Sequence, residues 1–177
     1  MLKKLRSIKK NMYLNRLKKR GLKVGKNFNI EKGAKIDAGF PWLVSIGNNV
    51  TIAPYVYILA HDGSTKNILG YSKVGRVNIG NNVFIGAKTT ILPNVKIGNN
   101  VIIGANSLIT TNIEDNYVVG GNPARVIMSY DEFKKKNEIK MMNGLVYDKS
   151  YTIKGKIDEQ KKEEMKEELS RKNGYII

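Results

Sequence analysis

The sequence predicts a mainly β solenoid of triangular coils, because aliphatic residues recur at a fixed step of six. The longest unbroken series is Ile79, Ile85, Ile91, Ile97, Ile103 and Ile109. A period of six fits neither the 3.6-residue period of a helix nor the alternation of a long strand. Short strands separated by sharp corners fit it, and three such sides make one coil of about eighteen residues that stacks on the next.

The residue types around the repeat indicate strands and corners in alternation. Ile and Val favour extended backbone and pack well in a narrow core. Gly often follows the aliphatic position, and Asn pairs stand at 48–49, 81–82 and 99–100; both residue types tolerate the positive φ of tight corners. The same step continues upstream in two shorter series. A conventional sandwich of short strands would not keep its turns at one fixed step.

Two interruptions of the repeat are candidate functional segments. The segment Phe40-Pro41-Trp42 predicts an insertion at one corner. A longer excursion over residues 61–77 begins with His61, which is the only histidine in the chain. Segments that break a repeat often carry the function of a solenoid.

The N-terminal arm carries much of the positive charge. The first 26 residues hold eleven of the 31 Lys and Arg residues, and the first acid is Glu31. Leu2, Leu5, Ile8 and Met12 recur at helical spacing, so we expect a short amphipathic helix. Its apolar face could cap the first coil or pack in an oligomer; the alternative is contact with an anionic membrane. A solvated helix face would explain the charge, and contact with anionic lipid or anionic polysaccharide is the alternative.

Composition narrows the classes of protein that the chain can represent. The chain has no cysteine, which excludes disulfides and thiolate metal sites. A single histidine and no cysteine also argue against a zinc site, so we expect no metal. We find no apolar span and no secretion signal, and we expect a cytoplasmic protein, peripheral at the inner membrane face if the arm binds lipid. The body has no nucleic-acid motif, so no nucleic-acid partner is expected.

We expect three segments along the chain. Residues 1–22 form the basic helix, residues 23–127 the β-helix with its excursion at 61–77, and residues 128–177 a helical extension. Ser129 with Glu132 predicts the start of one helix and Asn143-Gly144 its end. A second helix is predicted from about Asp158 to Lys172.

Three stretches resemble the left-handed β-helix acyltransferases with hexapeptide repeats. They read IGNNVTIAPYVYILAHD, VNIGNNVFIGAKTTILPNVKIGNNVIIGANSLITTNI and VVGGNPARVI. The likeness is greatest to the maltose, galactoside and nodulation-factor type and to bacterial polysaccharide O-acetyltransferases. The resemblance implies a left-handed parallel β-helix, acetyl-CoA as the co-substrate and a homotrimer with its sites between subunits.

The resemblance implies that His61 is the general base. Removing a hydroxyl proton during attack on a thioester suits a group that titrates near neutrality, as histidine does. Asp62 follows His61 directly and is the candidate that orients it. Members of the family often use a carboxylate from elsewhere in the chain, so the orienting partner is left open.

Small residues in register suggest the path of the acyl donor. Ala87 and Ala105 stand one coil apart at the same corner, as do Gly86 and Gly104. The resemblance implies that the pantetheine arm follows this edge and that the Ala87 amide stabilises the thioester oxyanion. The alternative is that small residues merely let the corner turn.

The resemblance also implies contacts with the nucleotide end of CoA. Thr110, Thr111 and Arg125 match positions that meet this end in the family, and Arg suits phosphate by charge and geometry. The family commonly has a lysine where Thr111 stands; Lys88 is the candidate substitute.

The predicted function is acetyl transfer from acetyl-CoA to a saccharide hydroxyl, in capsule, lipopolysaccharide or exopolysaccharide synthesis. An N-acyltransferase for an amino sugar or nucleotide-sugar and an antibiotic acetyltransferase are the alternatives within enzymes. A basic binding protein for anionic lipid or nucleic acid is the non-enzymatic alternative.

Overall fold

The computed structural model describes the backbone of residues 2–177 and the side chains of residues 11–177. The chain divides into two compact units, Met1–Tyr130 and Asp131–Ile177. The second unit begins slightly after the expected boundary at residue 128, because a strand of the first unit runs to Ser129. The N-terminal helix belongs to the first unit.

Short parallel strands stacked on three faces form the first unit. The strands are, in chain order, β1 (Lys23–Val24), β2 (Asn29–Ile30), β3 (Lys35–Ile36), β4 (Val44–Ile46), β5 (Thr51–Ile52), β6 (Tyr57–Ile58), β7 (His61–Asp62), β8 (Lys73–Val74), β9 (Val77–Ile79), β10 (Phe84–Ile85), β11 (Thr90–Ile91), β12 (Lys96–Ile97), β13 (Ile102–Ile103), β14 (Leu108–Ile109), β15 (Tyr117–Gly121) and β16 (Ala124–Ser129). The first face has the order β1-β4-β9-β12, the second β2-β5-β10-β13-β15-β16, and the third β3-β6-β11-β14. These three faces confirm the predicted parallel β-helix.

The six-residue repeat fills the interior of the prism. Ile52, Ile85 and Ile103 pair in register on the second face, and each is at most 1% exposed. Burial of one such side chain contributes about 1.5–3 kcal/mol. Successive coils therefore share one continuous aliphatic core.

Asn side chains stabilise the corner between the first and second faces. Asn49, Asn82 and Asn100 adopt φ values of 55°, 55° and 53°, which asparagine tolerates. One residue earlier, the backbone N–H of Asn81 donates to Asn99 Oδ1 at 2.9 Å. The predicted positive φ at the Asn pairs is confirmed, and their side chains also link one coil to the next.

Glycine at the corners is required by the close stacking of the coils. A Cβ on Gly86 would lie 2.5 Å from the backbone nitrogen of Ala105 and 2.7 Å from the carbonyl carbon of Gly104. Neither atom can move without disturbing the strand pairing of the next coil. Gly86 therefore has a packing role of its own.

The helix α1 (Leu2–Lys19) covers the start of the β-helix with its C-terminal half. Leu17 is 1% exposed and joins the core. The Tyr13 hydroxyl accepts the N–H of Ile36 at 2.8 Å and donates to the Ile36 carbonyl at 3.2 Å, which satisfies the edge strand β3. Burial raises the pKa of Tyr13. Met12 is exposed, and the side chains of Leu2, Leu5 and Ile8 lie outside the described residues.

The second unit combines helices with one small sheet. Its helix α3 (Tyr130–Met142) starts at the boundary, and α4 (Glu159–Leu169) is capped by Asp158, whose carboxylate accepts the N–H of Lys161 at 2.8 Å. The strands β17 (Leu145–Tyr147) and β18 (Gly174–Ile176) pair in parallel; the sequence did not predict them. Among the described helices, none combines the length and apolarity that a bilayer span needs.

Candidate active site

Both interruptions of the repeat lie at the same corner, between the third and the first face. In the first coil, Pro41–Leu43 forms a single 3-10 turn between β3 and β4. In the next coil, the chain leaves β6, forms the antiparallel pair β7 and β8, and returns to β9 at Val77. The helix α2 (Lys66–Leu69) lies between β7 and β8. The two insertions, one coil apart, surround His61.

His61 forms its shortest side-chain contact with Asp37. The distance from His61 Nδ1 to Asp37 Oδ2 is 2.5 Å. The Asp37 side chain is 1% exposed, whereas the His61 side chain is 43% exposed. Asp37 follows β3 and His61 follows β6, and these two strands pair in register. The stacking of consecutive coils therefore brings a buried carboxylate against a half-exposed imidazole.

The Asp37 carboxylate is held in place by backbone donors. Its Oδ1 accepts the N–H groups of Gly39 at 2.9 Å and Phe40 at 3.2 Å. Its Oδ2 accepts those of Ala60 at 2.9 Å and His61 at 3.1 Å. Backbone hydrogen bonds therefore hold both carboxylate oxygens in place independently of the His61 side chain.

The environment of Asp37 determines its charge. Burial by itself would raise its pKa, but the hydrogen bonds from His61 and from the surrounding backbone N–H groups outweigh burial and lower it. An ionised carboxylate only accepts hydrogen bonds, so His61 Nδ1 must carry a proton. In the neutral imidazole, the proton-accepting nitrogen is then Nε2. The pair can therefore accept a proton at a half-exposed position.

Asp62 does not contact the imidazole, and this corrects the candidate orienting residue from the sequence. Its carboxylate accepts the N–H of Ser64 at 2.8 Å and lies 3.5 Å from Lys73 Nζ. Asp62 and His61 are neighbours on the strand β7, where successive side chains point to opposite sides. These contacts lower the pKa of Asp62, with the Ser64 N–H contributing most.

The donor corner carries backbone amides that are not used by the fold. Ala87 and Ala105 lie between the second and third faces in consecutive coils. Among the described residues, neither amide nitrogen donates to a backbone carbonyl, whereas the Ala87 carbonyl accepts the N–H of Asn106 at 2.8 Å. At the Asn corner, side chains occupy the equivalent amides, as Asn99 does for Asn81. The two alanines therefore offer backbone donors that no backbone carbonyl accepts, one coil apart.

Three of the predicted nucleotide contacts lie together. Thr110, Thr111 and Arg125 line one depression of about 230 Å³ near the end of the first unit. The Arg125 guanidinium donates to the Ala124 carbonyl at 2.9 Å, which leaves most of its donors available. Lys88 is exposed, has a φ of 60° and is not among the residues that line this depression.

His61 and Ala87 lie at opposite ends of the third face. His61 comes after β6, while Ala87 comes before β11, and these strands pair with Ile58 opposite Ile91. At about 3.3 Å per residue, the two positions are on the order of 10 Å or more apart. One chain therefore does not bring the candidate base and the candidate oxyanion donor together.

Sequence reasoning missed Asp37 and recognised Phe40 only as part of a corner insertion. Asp37 stands 24 positions before His61, and the Phe40 ring lies 5.2 Å from the imidazole, centroid to centroid. A count of one coil, corrected for the insertion after β3, would have put Asp37 within two positions of His61.

No group of three metal-ligating side chains occurs in the described part of the chain.

Comparison with known proteins identifies the family. Residues 76–111 match the family described as Bacterial transferase hexapeptide (six repeats). Protein CapG of Staphylococcus aureus is 41% identical over 137 residues, which are 75% of this chain and 80% of CapG. The structure of a maltose O-acetyltransferase from Clostridium difficile 630 is 33% identical, with a TM-score of 0.51 over 60% of this chain and 68% of that one. The structure of galactoside acetyltransferase in complex with coenzyme A is 34% identical, with a TM-score of 0.51 over 63% of this chain and 62% of that one. The chain therefore belongs to the hexapeptide-repeat transferase family, and it is an acetyltransferase.

Proposed function

We propose that the chain transfers the acetyl group of acetyl-CoA to a hydroxyl of a saccharide, with His61 as the general base. The observation that carries this proposal is the contact of His61 with the buried Asp37 carboxylate at 2.5 Å. The names of the maltose and galactoside enzymes support a saccharide acceptor. The coenzyme A complex of the latter supports a CoA thioester as the donor.

The mechanism is direct attack in a ternary complex. Nε2 of His61 accepts the proton of the acceptor hydroxyl while its oxygen attacks the thioester carbonyl. Asp37 holds the imidazole in the required tautomer and stabilises the cation that forms. The tetrahedral intermediate then collapses, the C–S bond breaks, and the thiolate of CoA takes the proton back from His61. The acetyl ester and free CoA leave, so no covalent enzyme intermediate is needed.

The donor site follows the corner of Ala87 and Ala105. Their free amides can pair with the amide carbonyls of pantetheine, and the Ala87 N–H can stabilise the oxyanion. At the far end of this path, Arg125 supplies a cation for the phosphates, with Thr110 and Thr111 as neutral donors. Lys88 remains a candidate for an additional phosphate contact.

A second copy of the chain completes this site. The separation of His61 from Ala87 across the third face supports an arrangement in which the donor corner of one subunit meets the His61 corner of another. A homotrimer satisfies this requirement with three equivalent sites, because a closed ring repeats the same heterologous contact.

The test is thiol release from acetyl-CoA with a panel of mono- and oligosaccharides. We expect acceptor-dependent release by the wild type and a decrease of about 10²-fold or more for His61→Ala. Acetyl-CoA binding, measured by calorimetry, should survive the substitution. Undiminished turnover by His61→Ala would reject the general-base assignment, and failure of the wild type to bind acetyl-CoA would reject the proposed donor.

A further inference from the structure

Trp42 lies against the basic turn at the C-terminal end of α1 and is linked to His61 through the Phe40 ring. We propose that the surface formed by Trp42 and this turn binds the acceptor, and that the acceptor is a saccharide carrying a carboxylate or phosphate. Its sugar ring stacks on Trp42, and its anionic group pairs with the basic turn, defined here as Lys18, Lys19, Arg20 and Lys23. This inference rests on the proposed function, because it names the substrate class of the same site.

An aromatic series leads from the imidazole to the surface. The Phe40 ring lies 5.2 Å from the His61 ring, and the Trp42 ring lies 5.6 Å from the Phe40 ring, both measured between centroids. Trp42 is 55% exposed. Indole offers a large apolar face, and the C–H face of a pyranose is its natural complement. A sugar stacked on Trp42 would hold the next sugar unit close to His61.

The insertion that carries Trp42 serves no evident need of the coil. It breaks the repeat between β3 and β4, where an uninterrupted corner would close the coil with fewer residues. Pro41 is buried and fixes the start of the turn, while the indole remains outside. The buried Pro41 therefore makes the turn rigid, while the Trp42 ring is left exposed to solvent.

The basic turn is packed directly against Trp42. A Cβ on Gly21 would lie 2.7 Å from Trp42 Cβ and 3.2 Å from Trp42 Cα, so the backbone at the end of α1 contacts the insertion. The four basic side chains flanking Gly21 are all exposed. Among the described residues, none of the four is within ion-pair distance of a carboxylate. Their charge is therefore available to a ligand that reaches Trp42.

The position of this surface favours an acceptor over a membrane. A membrane contact would require exposed basic and aromatic groups, but it would not require the aromatic series to end on the imidazole. A neutral saccharide would use the stacking ring and leave the uncompensated charge without a role. An anionic saccharide uses both features and places its hydroxyls at the base.

Intrinsic fluorescence provides a direct binding assay, because Trp42 is the only tryptophan in the chain. The probes are trigalacturonic acid for carboxylates, UDP-N-acetylglucosamine for phosphates, maltotriose as the neutral control, and phosphatidylglycerol vesicles as the membrane control. We expect a saturable change with at least one anionic sugar, an affinity at least tenfold higher than for maltotriose, and weakening at 0.5 M salt. The measurement omits acetyl-CoA, so its result is independent of acetyl transfer.

Substitutions then assign the two parts of the surface. The triple variant Lys19→Gln, Arg20→Gln, Lys23→Gln should lower the affinity for the anionic probe at least tenfold. The control variant removes the same charge from the second unit through Lys135→Gln, Lys136→Gln and Lys172→Gln. It should change the affinity for the anionic probe less than twofold. In turnover assays, Trp42→Ala should raise the acceptor KM at least tenfold and leave the acetyl-CoA KM within twofold, while Trp42→Phe restores most of the loss.

Three results would overturn the inference. The first is equal affinity for maltotriose and the anionic sugars. The second is a fluorescence change with vesicles alone, which would indicate a membrane surface. The third is an equal effect of the two triple variants, which would indicate a nonspecific charge effect. Loss of acetyl-CoA binding would instead reject the proposed function, so the two failures are distinguishable.

Discussion

Replacing Asp37 with asparagine tests the central contact of the site with the smallest change of shape. Asp37 accepts the N–H groups of Gly39, Phe40, Ala60 and His61 in addition to the imidazole. Asparagine has one accepting oxygen and one NH₂ group, which donates. In either orientation, the NH₂ group stands opposite at least two backbone N–H donors whose hydrogen bonds the Asp37 carboxylate accepted.

The cost follows from these contacts. The more favourable orientation keeps the oxygen toward Ala60 and His61 and points the NH₂ group at Gly39 and Phe40. Two donors then lose a charged partner, at about 1.5–3 kcal/mol each. We expect Asp37→Asn to lower the free energy of unfolding by about 3–6 kcal/mol. Loss of the negative charge also removes the electrostatic stabilisation of the imidazolium that forms during proton transfer, so we expect kcat to fall by about 10²–10⁴-fold.

The assay separates a positioning role from a general loss of structure. Urea unfolding gives the stability difference, and steady-state thiol release gives kcat and the two KM values at a temperature where each variant is folded. We expect the acetyl-CoA KM to stay within about threefold and the pH–rate profile to change shape. Asp62→Asn is the matched control, because the Asp62 side chain is 38% exposed and Lys73 is its only ion-pair partner among the described residues. Exposed pairs contribute about 0–1 kcal/mol.

One pattern of results would refute the reasoning. If folded Asp37→Asn kept the wild-type kcat while Asp62→Asn lost it, the imidazole would be oriented by its neighbour in sequence. The observed contact would then have only a structural role. A parallel decrease of both variants would indicate that turnover does not depend on the Asp37 contact alone.

Three further predictions concern pH, packing and the donor. Because its pKa is lower in the folded state than the ordinary value of 3.8, ionised Asp37 stabilises the fold above that pH. This contribution is lost as pH falls below 3.8 and through the lower folded value, so the unfolding free energies of wild type and Asp37→Asn should converge on acidification in urea titrations. Gly86→Ala places a Cβ 2.5 Å from a backbone nitrogen of the next coil and should cost about 1–3 kcal/mol, whereas Gly63→Ala, with no atom closer than 4.0 Å, should stay within about 0.5 kcal/mol by thermal unfolding. Thr111→Lys adds a cation to the depression that contains Arg125 and should lower the acetyl-CoA KM several-fold at low salt; an unchanged KM would place the phosphates elsewhere.

The fold was largely predictable because each repeat encodes its own short strand and corner. Ile52, Ile85 and Ile103 pair as the six-residue step requires, and the Asn pairs supply the expected positive φ. The pairing of β17 with β18 was not predictable, because these strands are isolated three-residue segments outside the repeat. Period alone carries no information about such a pair.

The candidate site was predictable only where it depends on local sequence. The break in the repeat identified His61, and the eighteen-residue spacing placed Ala87 above Ala105. Asp62 was the candidate orienting residue and does not contact the imidazole, because neighbours on a strand diverge while residues one coil apart stack. The extra residues after β3 also hid this register from a simple count.

The sequence by itself determined the coil, the core and the identity of the single histidine. Each of these depends on residue type and spacing within a few positions. Only the tertiary structure decided which carboxylate reaches the imidazole and that Phe40 and Trp42 extend from it to the basic turn. Apart from the local contact between Phe40 and Trp42, these contacts join residues about 20 positions or more apart in the chain. Parallel stacking converts that separation into the distance between neighbouring strands, about 4.8 Å.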